Sequence, residues 1–377
     1  MAKWTASLLN HIADKLFNKI YRRKYCCGHN HDIHFLAREI DDWLPKGIQS
    51  LLDGTYTPRF LKRIYLPDEV LDQLHLSDRV LQHLLLKMIK PTFKHVINSN
   101  CYHMVGPAGV KQATAKVREA LKDTKPKYFI RADIKSYYKS IAHCKLIQDI
   151  KKYYHDPKLI KMLTNIIENP IDAPRGFLNP HRGIALRGPL SQFFSGLYLK
   201  PIDDAMQKME VTYLRYQDDI LILCKTRRQM NRCKQKMMKI LHERYLKLSR
   251  RKTRMGKIDS GFHFLGISYP PTQPEDNTNT ECISNRIMPH PRTLRKAREN
   301  VKHMVADSVS RKKIRSYLFR WLCWWATTSS IWERRTLLKW FTQSCRDTAT
   351  SKIAKEVDQI YFKELQPRAE VDALEAA

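Results

Sequence analysis

The chain has 377 residues, 43% of them hydrophobic, and a formal net charge of +31 from 68 Lys and Arg against 37 Asp and Glu. This length and apolar content exclude a disordered protein and predict one large core or two to three subdomains. The charge predicts a polyanionic partner, most simply a nucleic acid, with an anionic membrane surface as the alternative.

No apolar run approaches the length of about 18 residues that a membrane-spanning helix needs, and residues 1–19 lack the plan of a secretory leader. We therefore expect a cytoplasmic protein with no membrane partner, whose nine cysteines are reduced. One cluster, Cys26, Cys27, His29, His31 and His34, contains zinc-ligand residue types, but its spacing matches no structural zinc pattern. We prefer core cysteines and surface histidines there, with metal binding as the alternative.

In the first third of the chain, apolar residues at helical spacing predict helices over residues 1–24, 34–52 and 78–91. Residues 54–58 form a predicted turn, and a strand is predicted over residues 60–66. Residues 106–121 open with a glycine and continue as a basic helix.

The middle of the chain begins with an apolar strand that leads into a single acid, Asp133, and then into the aromatic pair Tyr137 and Tyr138. Helices are predicted over residues 143–169, and a loop rich in Pro, Gly and Arg over residues 170–187. A further helix is predicted to begin at Ser191.

Residues 213–225 predict a β-hairpin, because two short apolar runs flank a polar bend at Gln217 and Asp218. Asp218 and Asp219 are adjacent at this bend, and like charges so close repel unless a cation lies beside them. A divalent metal serving a phosphate substrate is one candidate for that cation. A solvated turn is the simpler alternative.

After the hairpin, Thr226 and Gln229 have the spacing of a capping box that opens a helix. Residues 225–257 hold 14 Lys and Arg and a single acid, Glu243, which predicts a surface for a polyanion. Residues 261–269 predict a strand pair with a close bend. Beyond a polar, proline-rich break at residues 270–285, three tryptophan-containing helices are predicted over residues 293–307, 310–327 and 330–345.

Three acids stand out by context: Asp133 at the end of one strand, and Asp218 with Asp219 in the hairpin. Transfer of a nucleotidyl group needs in-line geometry and two metal ions roughly 3.5–4 Å apart. Carboxylates at the ends of adjacent strands hold such ions rigidly, because a strand fixes side-chain direction.

Six segments in chain order resemble the motifs of a bacterial reverse transcriptase of the group II intron-like branch. They are residues 51–94, 129–140 and 183–199, the box Tyr216-Gln217-Asp218-Asp219, residues 248–253 and residues 264–266. The resemblance implies an α+β, right-hand polymerase fold with fingers, a palm on an antiparallel sheet carrying the YxDD hairpin, and an α-helical thumb.

The implied domains follow the same order. They are an N-terminal helical extension at 1–50, fingers at 51–127, a palm at 128–269 with a fingers-type insertion around 143–180, a linker at 270–290, a helical thumb at 291–365 and a flexible tail at 366–377.

The resemblance also implies site residues. Asp133, Asp218 and Asp219 would bind Mg²⁺, with Mn²⁺ as an alternative, helped by the Ile134 carbonyl. Tyr138 falls where the family has an aromatic steric gate against a 2′-hydroxyl, and Lys252 where a lysine approaches the triphosphate. The remaining implied residues are Ser191 and Gln192 in the template pocket and Phe264, Leu265 and Gly266 in the primer grip. Core filling by Tyr138, a solvated Lys252 and helix capping by Ser191 are the structural alternatives.

Three departures from the family pattern stand out. Leu186-Arg187 replaces the usual Gln-Gly pair of the pocket, and Gln192 replaces a proline, as in enzymes of diversity-generating retroelements. Residues 65–77 also lack the basic cluster that normally cradles the triphosphate. We expect Arg59, Lys62 and Arg63 to substitute for that cluster, and Arg187 to contact phosphate or base.

These features predict a reverse transcriptase that uses dNTPs, a DNA primer or product and an RNA, acting with a dedicated non-coding RNA in bacterial defence against phage. The chain carries no endonuclease module after the predicted thumb, which disfavours a self-sufficient intron protein. The alternatives are a diversity-generating or other domesticated retroelement enzyme, a group II intron maturase, and a catalytically silent nucleic-acid-binding scaffold. A partner protein or a homo-oligomer is compatible with each of them.

Overall fold

A computed structural model describes residues 4–22, 32–65, 70–106, 108–186, 188–271 and 287–326. It confirms the predicted α+β class, since helices and largely antiparallel sheets share the chain. Several predictions fall outside the described residues. They concern Cys26, Cys27, His29 and His31, Arg187, most of the linker, the helix at 330–345 and the tail at 366–377.

Helices cover much of the described chain, and their bounds are as follows. They are α1 (Ala6–Tyr21), α2 (Asp32–Arg38), α3 (Ile40–Asp53), α4 (Leu76–Ile89), α5 (Phe93–Val96), α6 (Gly109–Asp123), α7 (Tyr137–Ser140), α8 (His143–Tyr153), α9 (Pro157–Ile167), α10 (Ser191–Tyr198), α11 (Lys200–Gln207), α12 (Arg227–Glu243), α13 (Pro291–Ala306) and α14 (Arg311–Ala326).

The strands are arranged in three sheets. Their bounds are β1 (Leu61–Tyr65), β2 (Val70–Gln73), β3 (Tyr128–Asp133), β4 (Ile171–Ala173), β5 (Gly176–Leu178), β6 (Thr212–Tyr216), β7 (Asp219–Cys224), β8 (Arg254–Lys257), β9 (Phe262–Phe264), β10 (Ile267–Tyr269) and β11 (Met288–Pro289). The sheet orders are β2-β1-β4-β5, β11-β10-β9 and β6-β7-β3-β8. The last sheet carries all three candidate acids at or beside its strands, and β3 pairs antiparallel with β8 from Tyr128 opposite Lys257 to Arg131 opposite Arg254.

Two predicted elements are wrong in detail. The helix predicted over residues 34–52 is two helices, because the chain turns at Glu39 and the indole N–H of Trp43 donates to the Leu36 carbonyl at 2.8 Å across the corner. The loop predicted over residues 170–187 contains the β4–β5 hairpin, in which Ile171 pairs with Leu178. Three paired positions on each strand are too short a pattern for the alternation to be visible in sequence.

The chain divides into two compact units. The first comprises Met1–Gly106, Ala132–Ile220 and Arg232–Thr253, and it holds the three candidate acids. The second comprises Pro107–Arg131, Leu221–Asn231 and Arg254–Ala377. In the second unit, Phe129, Phe262 and Tyr269 form a stack with ring centroids 5.1 and 4.6 Å apart, and Trp321 and Trp324 of α14 pack against Leu294 of α13.

A buried ion pair anchors the β6 end of the hairpin in the first unit. Arg215 and Asp203 are both fully buried; Nε of Arg215 donates to Asp203 at 2.7 Å and Nη2 donates at 2.5 Å. The hydroxyl of Tyr213 donates to the same carboxylate at 2.6 Å. Burial alone would lower the pKa of Arg215, but the Asp203 carboxylate raises it well above its ordinary value. Asp203 of α11 therefore ties strand β6 to the helical layer.

The remaining donors of Arg215 reach backbone on either side of it. Nη2 donates to the Gly196 carbonyl of α10 at 2.9 Å, and Nη1 donates to the Gln217 carbonyl in the hairpin turn at 3.2 Å. One guanidinium thus connects α10, called the pocket helix below because the predicted pocket residues Ser191 and Gln192 begin it, to the turn that presents Asp218. A charge buried this completely is stable only while its partners stay in place.

We expect removal of either partner of this pair to be strongly destabilising. Arg215→Met and Asp203→Leu should each lower the free energy of unfolding by about 3–5 kcal/mol, because each leaves one buried charge uncompensated. The double variant should lose less than the sum of the two single losses. Urea unfolding followed by circular dichroism measures all three values.

The exposed pair Lys46 and Asp42 of α3, with its atoms 2.5 Å apart, is the matched control. Asp42→Asn should change the free energy of unfolding by no more than about 0.5 kcal/mol. Strictly additive losses at Arg215 and Asp203 would contradict the role assigned to the buried pair.

Candidate active site

The adjacent acids Asp218 and Asp219 occupy the turn and the first position of β7, as predicted. Gln217, the other turn residue, has φ 56°, in the left-handed region that a tight two-residue hairpin requires. The backbone N–H of Gln217 donates to Nδ1 of His103 at 3.1 Å. The turn that carries the acids is therefore fixed from outside the hairpin as well as by its own strands.

The third acid, Asp133, ends strand β3 and is buried. Its carbonyl accepts from the Ser249 N–H at 2.8 Å, and the Lys135 N–H donates to the Lys247 carbonyl at 2.8 Å. Ile134 lies between these two bonds and is bridged to Leu248. Ser136 then turns the chain into α7 with φ 48°. These bonds hold Asp133 and the Ile134 backbone firmly at the end of the strand.

A lysine supplies the positive charge beside these acids. Nζ of Lys252 donates to Oδ2 of Asp133 at 3.0 Å, although the Lys252 side chain remains 65% exposed. This hydrogen bond raises the pKa of Lys252, with further contributions from the charges of Asp133, Asp218 and Asp219. Burial raises the pKa of Asp218, and the charge of Asp133 raises it further. The acids therefore share one electrostatic environment.

The donor chemistry of this group fits a hard divalent cation. Carboxylate oxygens are the ligands that Mg²⁺ prefers, and the Lys252 ammonium already occupies the position of a cation against Asp133. Within the described part of the chain, no three His, Cys, Asp or Glu side chains form a ready-made metal cluster. Metal binding by Asp133, Asp218 and Asp219 therefore stays a prediction.

Tyr138 lies on α7, five residues after Asp133, and contacts the pocket helix. Its hydroxyl donates to Oγ of Ser195 at 3.4 Å, and its carbonyl accepts from the Ile184 N–H at 3.0 Å. Burial raises the pKa of Tyr138, so the side chain stays a neutral phenol. The ring is half-buried and is not enclosed like that of its neighbour Tyr137.

The two predicted pocket residues at the start of α10 behave differently. Ser191 is buried, and its hydroxyl donates to the Ala185 carbonyl at 2.5 Å, so it does not cap the helix. The side chain of Gln192 is exposed, and the backbone carbonyl of Gln192 accepts from Ser195 Oγ at 2.9 Å. Leu186 is half-buried, and Arg187 lies outside the described residues. The roles of Ser191 and Gln192 in a pocket remain predictions.

The basic residues expected to cradle a triphosphate lie at or near β1. Arg63 forms a two-bond pair with Asp72 on β2, at 2.8 and 3.1 Å. Nη1 of Arg59 lies 3.3 Å from the His75 ring, whereas Lys62 is exposed. Among these three, Lys62 has the side chain most free to meet a ligand; the triphosphate role stays a prediction.

The predicted primer grip is a tight hairpin turn between β9 and β10. Leu265 and Gly266 have φ values of 48° and 81°, as a two-residue turn of the type I′ class requires. Phe264 is buried, and the Gly266 carbonyl accepts from the His290 N–H at 2.8 Å. The predicted strand pair is confirmed, and the contact with a primer stays a prediction.

Sequence analysis missed the buried residues that hold the site together. Nε2 of His103 donates to the Gln192 carbonyl at 3.1 Å while Nδ1 accepts from Gln217, so this ring joins the pocket helix to the acid turn. Burial lowers the pKa of His103 to about 3 and keeps it neutral. An arginine inside the apolar strand β6 was a visible signal for Arg215, but nothing in one sequence pairs it with Asp203 or finds His103.

Known proteins are similar to the part of the chain that holds the candidate acids. The sequence model of the family described as reverse transcriptase (RNA-dependent DNA polymerase) matches residues 70–269. The protein YkfC of Escherichia coli (strain K12) is 23% identical over 260 residues, which are 57% of this chain and 68% of YkfC.

Similar solved structures include two telomerases. Telomerase from Candida albicans, in complex with the TWJ fragment of telomeric RNA, has a TM-score of 0.47 at 12% identity, covering 84% of this chain and 68% of that chain. The apo telomerase from Candida tropicalis, truncated from its C-terminal domain, has a TM-score of 0.39 at 15% identity. The matched region is 57% of this chain and only 44% of that telomerase chain.

The family match covers more than half of the chain and includes Asp133, the YxDD hairpin and Lys252. It confirms the expectation of a right-hand polymerase fold that the order of the motifs raised. With the acids on an antiparallel sheet and the pocket helix beside them, the chain belongs to the reverse transcriptase family, the RNA-dependent DNA polymerases.

Proposed function

We propose that the chain polymerises DNA on an RNA template at Asp133, Asp218 and Asp219, using dNTPs and Mg²⁺, with Mn²⁺ as an alternative. One observation carries the proposal. Asp133 lies far in sequence from the adjacent pair Asp218 and Asp219, yet the three acids share one electrostatic environment around Lys252. The turn that bears the pair is held by His103 and Arg215. Bound metal ions would lower the pKa of the primer hydroxyl and neutralise charge on the departing pyrophosphate.

The chain's own residues would then perform the positioning. Asp133 is fixed by its backbone bonds to Ser249, so its carboxylate needs little reorganisation. Lys252 is mostly exposed, and its ammonium donates to the carboxylate of Asp133. From this position beside the acids it would contact a triphosphate and donate a proton to the leaving group. Tyr138, half-buried beside Ser195, would lie under the sugar.

The charge distribution supports nucleic-acid partners. The residues of α12 that are buried are apolar, namely Cys233, Met237, Ile240 and Leu241, while its exposed side carries six Lys and Arg. No helix in the described ranges is long and apolar enough to cross a membrane. RNA as template and DNA as primer or product are the partners that such a surface fits. The cytoplasmic location remains a prediction.

At a finer level, we place the chain among stand-alone enzymes that act with a dedicated non-coding RNA in antiviral defence. The support is the altered pocket, in which Leu186-Arg187 and Gln192 replace the family's usual residues. Diversity-generating retroelement and intron maturase roles use the same chemistry. A silent scaffold is disfavoured, because the buried Asp133 and the left-handed turn before Asp218 cost stability, and binding nucleic acid alone requires neither.

Loss of the acids should abolish polymerisation. Asp218→Asn and Asp219→Asn should each reduce the rate of primer extension by about 100-fold or more, because each removes a carboxylate that would hold the metal ions stabilising the anionic transition state. Extension of a labelled DNA primer on an RNA template with Mg²⁺ and dNTPs measures the rate. Asp14→Asn, at an exposed position of α1, is the control and should extend normally; equal rates in all proteins would show that the products come from a contaminant.

Sugar discrimination should depend on the Tyr138 ring. Tyr138→Ala should raise kcat/KM for rNTPs relative to dNTPs by about 10-fold or more, because the ring no longer excludes a 2′-hydroxyl. Single-nucleotide incorporation with matched rNTP and dNTP measures this ratio. Tyr138→Phe keeps the ring, loses only the 3.4 Å bond to Ser195 and should discriminate normally; an unchanged ratio in Tyr138→Ala would remove the gate assignment.

A dedicated RNA should accompany the protein. Purified from cells that carry its native locus, the chain should retain one abundant RNA, and the DNA products should copy that RNA. Sequencing both pools is the measurement. Products that form a simple repeat absent from the bound RNA would instead indicate unconventional templating in the pocket around Leu186.

The biological role is tested in the same strain. If the proposed defence role is right, phage should form fewer plaques on cells with the intact locus than on cells carrying Asp218→Asn. Equal plaque counts, together with a bound RNA and normal primer extension, would favour a diversification or intron role over defence.

A further inference from the structure

Helix α12 ends in a motif where glycine is the usual residue, yet the position is filled by Tyr245. The Leu246 N–H donates to the Leu241 carbonyl at 2.8 Å and the Tyr245 N–H donates to the His242 carbonyl at 3.0 Å, the two bonds of a Schellman motif. Tyr245 has φ 58°, a left-handed conformation that costs a side chain with a Cβ stability. Tyr245 is therefore not the residue that would best stabilise this helix end.

The ring of Tyr245 is exposed and flanked by cations from two other segments. The residue is 51% exposed. Nζ of Lys145, on α8, lies 5.8 Å from the ring centroid, and the Arg182 guanidinium carbon, on the segment after β5, lies 5.4 Å from it. Arg182 is exposed and Lys145 is half-buried, and within the described part of the chain neither forms an ion pair with an acid. The nearby acid Asp149 is held by a two-bond pair with Arg244.

A second tyrosine, Tyr153, serves as a comparison, because it also has two cations near its ring but in a more enclosed setting. Tyr153 also has two lysines near its ring, Lys152 at 5.6 Å and Lys200 at 5.7 Å. However, Tyr153 is half-buried on a regular helix, and Lys200 is paired with Asp204 at 2.9 Å. Tyr245 differs from Tyr153 because it is exposed, it has left-handed backbone, and neither of its cations forms an ion pair with an acid within the described residues.

We propose that Tyr245, Lys145 and Arg182 form a binding site for a single-stranded nucleic acid. A nucleobase stacks on the exposed Tyr245 ring, and the adjoining phosphates contact Lys145 and Arg182. Stacking on an exposed aromatic ring beside backbone-tracking cations is how proteins bind single strands without sequence readout. An anionic membrane fits less well, because most of the apolar residues of α12, namely Cys233, Met237, Ile240 and Leu241, are buried and cannot insert.

This site is distinct from the proposed chemistry, because it needs neither metal nor dNTP. It lies on the segment that continues into Lys247 and Ser249, whose backbones bond to Lys135 and Asp133. A nucleic-acid strand bound at Tyr245 would thus contact the same segment of the protein that fixes Asp133.

The decisive variant is Tyr245→Gly, which removes the ring and relieves the left-handed backbone. Binding of a fluorescein-labelled 12-nucleotide RNA in EDTA should weaken about 10-fold, as expected for loss of one stacked base, while Tm stays unchanged or rises. Tyr245→Phe keeps the ring and should bind normally. Unchanged affinity in Tyr245→Gly would overturn the site, and so would a lowered Tm with a matching loss in Tyr245→Phe, which would indicate a structural role.

The contribution of Lys145 and Arg182 is tested by the salt dependence of binding. Lys145→Gln with Arg182→Gln should lower the slope of log affinity against log salt by about 1.4, that is about 0.7 for each lost phosphate contact with a single strand. Lys151→Gln with Lys161→Gln removes the same charge from exposed positions of α8 and α9 and should leave the slope unchanged. Equal changes in both double variants would show only a general effect of net charge and would overturn the site.

Three ligands distinguish binding of a nucleic-acid strand from binding of a single nucleotide. The site predicts that RNA and DNA 12-mers both bind and that adenosine monophosphate competes only weakly, because one nucleotide lacks the neighbouring phosphates. Competition by the monophosphate as strong as by the strand would overturn a strand site. Since the binding assay contains no metal, failure here leaves the primer-extension proposal intact, and failure of extension leaves this site intact.

Discussion

The buried pair of Arg215 and Asp203 is the interaction on which the rest of the candidate site depends. Both residues are fully buried, and the guanidinium donates to three groups that shape the site: the Asp203 carboxylate, the Gly196 carbonyl and the Gln217 carbonyl. Moving a buried charge away from its partners is expensive. The hairpin turn and the pocket helix therefore cannot shift independently without breaking this pair.

His103 adds a second, neutral connection between the same two elements. Its ring accepts from Gln217 and donates to Gln192, which fixes one tautomer and requires the ring to stay uncharged. Burial lowers the pKa of His103 to about 3, so at neutral pH this requirement is met. Arg215 and His103 thus hold the turn from its carbonyl and its N–H side, and Asp218 and Asp219 are preorganised before any ligand arrives.

The sequence predicted the site's chemistry far better than its support. Asp133 and the YxDD hairpin were predictable because a strand-ending acid and a two-residue bend leave local patterns within a few residues. The pairing of Arg215 with Asp203, and of Lys252 with Asp133 over 119 residues, depends on tertiary contacts that no local pattern encodes. The same limit explains the missed β4–β5 hairpin and the break between α2 and α3, where a single side chain, Trp43, sets the corner.

Two of the non-glycine residues with left-handed backbone lie next to the candidate acids. Ser136 and Gln217 each have positive φ at a bend, and each bend is held by hydrogen bonds from another segment. Such strain persists only where the surroundings determine the conformation. Tyr245 has the same kind of backbone, but its bonds are the local ones of a helix end, which glycine would satisfy at lower cost. Its exposed ring between Lys145 and Arg182 is then better explained by a ligand than by the fold.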